Sequence, residues 1–513
     1  MTGPPVVVVG SGAAGLSASL GAATAGGDVV VVERDDTVGG TTALSGGVVW
    51  LPANDAMTAL GLDDSASEAC RYVEGVATGD VDPGLVTAFA SDAARVATAV
   101  EKCTPLRWEV LENWPDYRGE VPGARSGGRS LWPRTLTLPA DIEARVHGAP
   151  DQPGPAGPAR AHNDGVVFRG PVRGRALVGA LLAGVRDAGV EVRTGSRVTG
   201  LVVEGGTVMG VRLNGETVDG RVILACGGFQ HDPALASHLN GAPVAAMGAP
   251  ACDGDGLRMA RSVGAAVGNM AEGWWMPALC VPGEELDGAP YYRPLHSERA
   301  YPGAIMVDGT GRRFVDEAQN YGDVGRSMAR LPAGTRASAT APCWLLFDST
   351  CRRRYPVGPV GPGDPDPPWL RRADDLESLA GAIGVAPGTL AATVDSFNEG
   401  AVRGSDPQFG RGSFPYDVWI GDPSSPHPTL APLAEAPFYA LEVHLGCMGT
   451  KGGPRTDDRG RVLSPEGSVV PGLYAAGNVA ANPFGTATPA GGSTLGPALV
   501  FGFRAGEAAA SDR

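Results

Sequence analysis

An unbroken apolar run at Val6 to Val9, preceded by Pro and followed by Gly, opens the interpretable part of the chain. Four such residues are too few for a helix and fit a strand buried on both faces of a parallel sheet. A Gly-rich turn and a small-residue helix follow in "GSGAAGLSASLGAATAGG", and a second apolar strand then ends in Glu33. Strand, turn, helix and strand in that order predict a βαβ unit. Between 56 and 104, "SEACRYVEGVA" and "GLVTAFASDAARVATAVEKC" place apolar residues at helical spacing and predict helices. Another helix, "RALVGALLAGVRDAG", precedes "VEVRTGSRVTGLVVEGGTVMGVRLNGETVDGRVILACGGF". Its alternating pattern, with GG and NG turns, predicts a meander that returns to a buried strand, Val222 to Ala225.

Two stretches break the periodicity. Residues 114 to 170 are rich in Gly, Pro and Arg, which predicts a long loop or insertion lying partly over a ligand. From about 279 to 437 composition shifts toward Pro, Tyr, Trp and Arg, interrupted by "PVGPVGPGDPDPPW" and "GDPSSPHPTLAP". This predicts a second, α+β domain inserted into the first. The tail resumes apolar strands, "FYALEVHLG" and "GLYAAGNVAA", before a final helix.

With 513 residues the chain exceeds one ordinary core. Its net charge of −15, without any basic run, argues against a nucleic-acid partner. The eight Cys are scattered, with no CxxC pair and no Cys/His cluster, so no metal is expected. Structural thiols of that kind fit a reducing, cytoplasmic setting. No stretch reads as a signal peptide or as a membrane span.

Gly10, Gly12 and Gly15, with Ala13 and Ala14 between them, match a dinucleotide fingerprint. The pattern provides a tight turn, close approach to a pyrophosphate and a helix N-terminus facing it. Glu33 stands where a carboxylate accepts ribose hydroxyls. An NAD site would satisfy the same pattern. Flavin is suggested by "GGTTALSGGVVW", where Gly40, Thr41, Thr42, Ser45, Gly46 and Gly47 supply amides and hydroxyls to a phosphate and a planar ring edge. The far end contributes Gly477 and Asn478 in "GLYAAGN", and Thr494 and Leu495 ahead of an apolar helix. A helix N-terminus aimed at the pyrimidine end would stabilise reduced flavin. Arg34, Val198, Gly227 and Asp255 complete the candidate cofactor contacts.

"GGTTALSGGVVWLPAN", "RAYPGAIMVDGTGRRFVDEAQNY", "PFYALEVHLGCMGTKGG" and "GLYAAGNVAANPFGTATPAGGSTLGPALVFG" resemble the FAD-dependent 3-ketosteroid dehydrogenases, within the fumarate reductase and succinate dehydrogenase flavoprotein superfamily. The resemblance covers nearly the whole chain. It implies an α/β fold with a Rossmann-like FAD-binding domain split into 1–278 and 438–513, and a catalytic domain, 279–437, between. FAD would be noncovalent, since the segment matching "TTALSGG" lacks the His of the covalent relatives. The implied reaction takes two hydrogens from beside a ketone of an apolar polycyclic substrate: a tyrosinate receives the proton, flavin N5 the hydride. The electron acceptor stays unspecified.

By the same resemblance Tyr321 in "DEAQNYGD" is the base and Tyr117 in "WPDYRGEVPG" its hydrogen-bonding neighbour. Gly492 offers an amide to the substrate carbonyl, but the family's carbonyl-polarising Tyr is replaced by Thr488. A phenol has a reference pKa near 10 and needs stabilisation as an anion to act as a base at neutral pH. Two alternatives stay open: an enoate or fumarate-type reductase using His444 and Arg313, or a dehydrogenase of a non-steroid ketone. Arg312 and Arg313 read better as a structural turn, His444 as a packed residue, and Trp274 and Trp275 as core or as a wall beside the flavin.

Overall fold

The computed structural model describes residues 5–134, 138–148, 172–239, 244–330, 338 and 340–512. The run Val6–Val9 is a buried strand between Val29–Val32 and Arg221–Leu224, parallel to both. Glu191–Arg193 extends this sheet beyond Val29–Val32, and Val469–Ala475 extends it beyond Arg221–Leu224, again in parallel. Arg461–Leu463 closes that edge antiparallel. Strands from both ends of the chain therefore build one sheet. The expected strand Val222 to Ala225 runs one residue earlier, at Arg221–Leu224.

The helix Ala13–Thr24 packs along the C-terminal helix Leu495–Ser511. Their backbones nearly touch. A Cβ on Gly21 would lie 2.2 Å from the Phe503 carbonyl oxygen, and one on Gly506 would lie 2.0 Å from that of Ala18. The small residues are thus what permits the crossing. The helices expected between 56 and 104 form at Asp55–Ala59, Ala66–Val76 and Pro83–Cys103. In the meander, Gly205-Gly206 and Asn214-Gly215 each have two positive φ angles, the requirement of the tight hairpin turn whose twist matches the strands.

A second, largely antiparallel sheet has Phe438–Thr450 at its centre. Gly273–Leu286 pairs with one side, and Cys343–Asp348 and Arg371–Ala373 pair with it as well. Ala304–Val307 and Ala289–Pro294 form the outer strands. Composition placed the boundaries at 278/279 and 437/438. The first falls inside Gly273–Leu286, and Phe438–Thr450 hydrogen-bonds to the strands of the inserted segment. A shift in composition marks loops, whereas sheet pairing continues across it. Residues 135–137 and 149–171, much of the Gly/Pro-rich stretch expected over a ligand, lie outside the described residues.

Candidate active site

The fingerprint turn is built as a close-contact cradle. Gly10 has φ 103°, and a Cβ there would sit 2.6 Å from the Ala225 carbonyl oxygen. A Cβ on Gly15 would sit 1.9 Å from the Gly10 carbonyl oxygen. Gly12 precedes Ala13–Thr24, a helix whose first turn carries no acidic residue and no side-chain cap. Its positive end is therefore open to an anion. Thr42 Oγ1 accepts from the Ala13 amide at 3.0 Å, and the Gly39 amide donates to Ser11 Oγ at 3.0 Å. These bonds draw Gly40–Leu44, with Gly40, Thr41 and Thr42, against the turn; Ser45, Gly46 and Gly47 follow directly. The Thr41 hydroxyl accepts from the Ala249 amide at 3.0 Å.

Glu33 stands at the end of Val29–Val32, 8% exposed, and accepts from the Ser11 amide at 3.0 Å. Burial raises its pKa, opposed by the Ser11 and Asp35 hydrogen bonds. Ala14 meets Gly477, where a Cβ would come within 2.8 Å of the Ala14 Cβ. Asn478 Oδ1 accepts from Trp274 Nε1 at 3.2 Å, and Thr494 and Leu495 open the C-terminal helix. Gly227, φ 78°, lies against Cys252. Two residues are occupied by each other's neighbours: Arg34 pairs with Asp253 at 2.7 Å, and Asp255 with Arg197 at 2.8 Å. Val198 is buried among the apolar side chains of the meander.

Tyr321 is the first residue of the helix Tyr321–Met328, whose cap Asn320 accepts from the Asp323 amide at 3.0 Å. Tyr117 comes from a distant loop and meets Tyr321 edge to face, ring centroids 5.5 Å apart. A third phenol, Tyr416, packs on Tyr117 at 4.6 Å. His296 lies 5.6 Å from Tyr321, and Trp114 stacks obliquely on Trp419 at 4.6 Å. Burial raises the pKa of Tyr321, while Tyr117 and the Arg299 charge lower it. Tyr117 is raised well above the usual phenol value, first by burial and then by Tyr321 and Tyr416. Of the two phenols, Tyr117 is the harder to ionise. Its hydroxyl has no partner at hydrogen-bond geometry, so its influence on Tyr321 is an approach rather than a formed bond.

The loop before the C-terminal helix closes this aromatic cluster. Tyr117 donates its amide to the Pro489 carbonyl at 2.9 Å, and the Tyr72 hydroxyl donates to the same oxygen at 2.6 Å. Thr488 rests on the helix Tyr321–Met328: a Cβ on Gly322 would lie 2.5 Å from Thr488 Oγ1. Gly492 has φ 93°, and its carbonyl accepts from the Trp50 amide at 3.1 Å. Thr488 and Pro489 thus meet Tyr117 and the helix that begins at Tyr321, from three separated parts of the chain.

A family model for the FAD binding domain matches residues 5–495. The chain is 37% identical to the 4-oxocyclohexanecarboxylate 2-dehydrogenase of Sinomonas cyclohexanicum, over 98% of this chain and 92% of that one. It is 36% identical to the 3-oxosteroid 1-dehydrogenase of Mycobacterium tuberculosis, over 98% and 97%. The crystal structure of the 3-ketosteroid delta1-dehydrogenase of Sterolibacterium denitrificans, in complex with 1,4-androstadiene-3,17-dione, superimposes with a TM-score of 0.90. The two are 31% identical, with both chains fully covered. The chain belongs to the FAD-dependent 3-ketosteroid dehydrogenase family. It is an FAD-dependent oxidoreductase acting on CH–CH groups, and the glycine cradle, open helix end and buried Glu33 fit that cofactor.

Within this family of dehydrogenases several residues of the chain fall into place. Trp274 donates to Asn478 and is buried in the core of the first sheet, whereas Trp275 is buried in the core of the second sheet. Arg313 is fully enclosed and spent on Glu317 and Asp406, Arg312 is exposed, and His444 packs on Tyr292. The cationic clamp that a fumarate-type reductase needs is not assembled from these residues. Lys451, from "GTKGG", donates to the Thr486 and Ala487 carbonyls at 2.8 and 2.7 Å and lies 4.2 Å from the Trp274 ring centroid. It holds the segment leading into Thr488. Arg299, Tyr416 and His296 also went unrecognised in the sequence; none carries a local pattern, and only the packing of the aromatic cluster reveals them. Among the described residues no helix is long and apolar enough to cross a membrane, and no cluster suits a metal ion.

Proposed function

We propose that the protein desaturates an apolar ring ketone, 3-ketosteroid-like in outline, with Tyr321 as the base that removes a proton from the carbon next to the carbonyl. The observation that carries this reading is the meeting of Tyr321 and Tyr117 at 5.5 Å beneath the Thr488–Gly492 loop. Tyr117, the phenol that stays protonated, stabilises the Tyr321 oxygen as it gains and yields charge. Gly492, through its amide, and Thr488 receive the substrate carbonyl, whose oxygen turns negative as the proton leaves. Donors placed at such an oxygen are worth roughly 3 to 4 kcal/mol each in other enzymes. FAD, bound noncovalently in the glycine cradle, supplies the acceptor for the electron pair and hydrogen leaving the neighbouring carbon. Buried aromatic walls exclude water from that exchange. Eight free thiols fit a reducing cytoplasm.

A second reading, a compact monocyclic ketone, is favoured by Thr488. The family Tyr would reach a carbonyl with a longer arm, so the shorter hydroxyl suits a ketone held deeper. Trp114 crowds the same side, because a Cβ on Gly491 would lie 2.8 Å from its ring. An anaerobic screen of 3-ketosteroids and substituted cyclohexanones, followed by flavin bleaching, separates the two. Tyr321→Phe is expected to slow bleaching by roughly 10² to 10⁴-fold, the range for loss of a general base. Wild-type bleaching by that variant would remove Tyr321 from the chemistry.

A further inference from the structure

Beneath the phenols lies a guanidinium with an unusual environment. Arg299 is fully buried, and Nη1 donates to the carbonyl oxygens of Glu317 and Gln319, the latter at 2.5 Å. Those carbonyls belong to the turn that leads into Tyr321. Its Nε and Nη2 have no hydrogen-bond partner, and no carboxylate lies within ion-pair distance of it among the described residues. The other buried arginines differ: Arg313 and Arg411 are paired with Glu317, Arg313 also with Asp406, Arg129 with Asp64 and Asp116, Arg293 with Glu284 and Arg352 with Asp366. A buried cation without a close counter-ion is costly unless another group nearby carries compensating negative charge.

The groups around it come from several elements. Its charge acts on Tyr117, Tyr321 and Tyr416. Asp316 also acts on it, from beyond ion-pair distance, and Arg411 opposes it. Asp417, next to Tyr416, has its pKa pushed up by burial and by the neighbouring Asp316. His296 lies against Tyr321, and Asp323 on the Tyr321 helix is paired with Arg118 at 2.8 Å. The phenol hydroxyls of Tyr117 and Tyr416 are themselves buried without partners. The one negative charge that the site must create, on Tyr321, is the charge Arg299 lacks.

We infer that Arg299 is the positioning cation of this tyrosine cluster, fixing the turn that presents Tyr321 and supplying the charge against which its oxygen ionises. The inference rests on Tyr321 being the base. Its action is transmitted through Tyr321 and the Glu317–Gln319 carbonyls, without contact to substrate. Removing the charge raises the Tyr321 titration midpoint; keeping it on a different side chain does not.

The test uses the FAD-loaded enzyme in two measurements. The ultraviolet tyrosinate band is titrated in wild type, Arg299→Gln and Arg299→Lys, each as the difference from its own Tyr321→Phe partner. Arg299→Gln keeps donors for the two carbonyls but no charge, and is expected to move the midpoint up by at least about one pH unit, tenfold less tyrosinate at fixed pH. Arg299→Lys is expected to stay close to wild type. The alkaline-rising limb of kcat/KM should move by the same interval in Arg299→Gln. An unmoved midpoint in Arg299→Gln overturns the inference; if that variant does not fold, a raised midpoint in Arg299→Lys overturns it equally. Should no ketone be oxidised by wild type, the spectroscopic titration still decides the electrostatic claim, while the failure of turnover counts against Tyr321 as the base.

Discussion

Gly322→Ala tests the placement of Thr488 with a single methyl group. The added Cβ would lie 2.5 Å from Thr488 Oγ1, 2.9 Å from Thr488 Cβ and 3.2 Å from Asn320 Oδ1. Contacts between uncharged heavy atoms are comfortable near about 3.5 Å, so Thr488 must withdraw by roughly 1 Å. Overpacking of this kind costs about 1 to 3 kcal/mol. Against it, Ala is favoured over Gly inside a helix by about 1 kcal/mol. The net loss of stability is therefore roughly 0 to 2 kcal/mol, which leaves the protein folded. The rate responds more strongly, because a displacement of about 1 Å at a reacting centre costs on the order of 100-fold. Anaerobic stopped-flow reduction of the flavin by ketone, with thermal unfolding of the same samples, reads both quantities. Adding Thr488→Ala to Gly322→Ala should restore part of the stability, since it removes the 2.5 Å contact with Oγ1 and keeps the 2.9 Å contact with Cβ, while leaving the rate low. Wild-type reduction by Gly322→Ala would show that Thr488 does not sit at the substrate carbonyl. A double variant no more stable than the single one would show that the two side chains are not in contact.

Two further perturbations address the cofactor and the buried charges. Gly10→Ala forces a left-handed φ of 103° on a residue whose Cβ meets the Ala225 carbonyl at 2.6 Å, so the purified variant should lack the yellow absorbance of FAD; stoichiometric flavin in it would refute the cradle. Burial pushes the Lys451 pKa down to about 7, against 10.5 for an ordinary lysine. Between those values the unfolded chain binds more protons than the native one, so stability rises with pH across this window. Urea unfolding from pH 7 to 10 should show that rise, and Lys451→Met should flatten it; an equal slope in the variant would assign the rise to another group.

The parts of the site that lie close together in sequence were legible there, because their chemistry is local. Gly10 and Gly15 declare a turn that no Cβ can enter, and Val6 to Val9 declares a doubly buried strand, whatever the rest of the chain does. Tyr321, Tyr117 and Thr488 were found by resemblance of whole motifs, since no spacing connects residues so far apart. Arg299 and Tyr416 escaped both routes. An arginine in "SERAYPG" looks like any surface cation until burial removes its water, and a tyrosine in "SFPYDVW" looks like any packed ring until Tyr117 is beside it.

What the amino-acid sequence determined by itself was therefore the alternation of buried strands and helices, the glycine-rich turn between the first strand and helix, and the family to which these motifs lead. Periodicity and glycine placement act over a few residues and survive without knowledge of the fold. Only the tertiary structure decided that Phe438–Thr450 belongs to the sheet of the inserted segment, that Arg313 is spent on Glu317 and Asp406, and that Arg299, among the described residues, is buried with no carboxylate at ion-pair distance. Electrostatics and packing depend on what surrounds a group in space, and in this protein the groups around Tyr321 come from Tyr117, Arg299, Tyr416 and the Thr488 loop, segments that meet only when the two sheets are assembled.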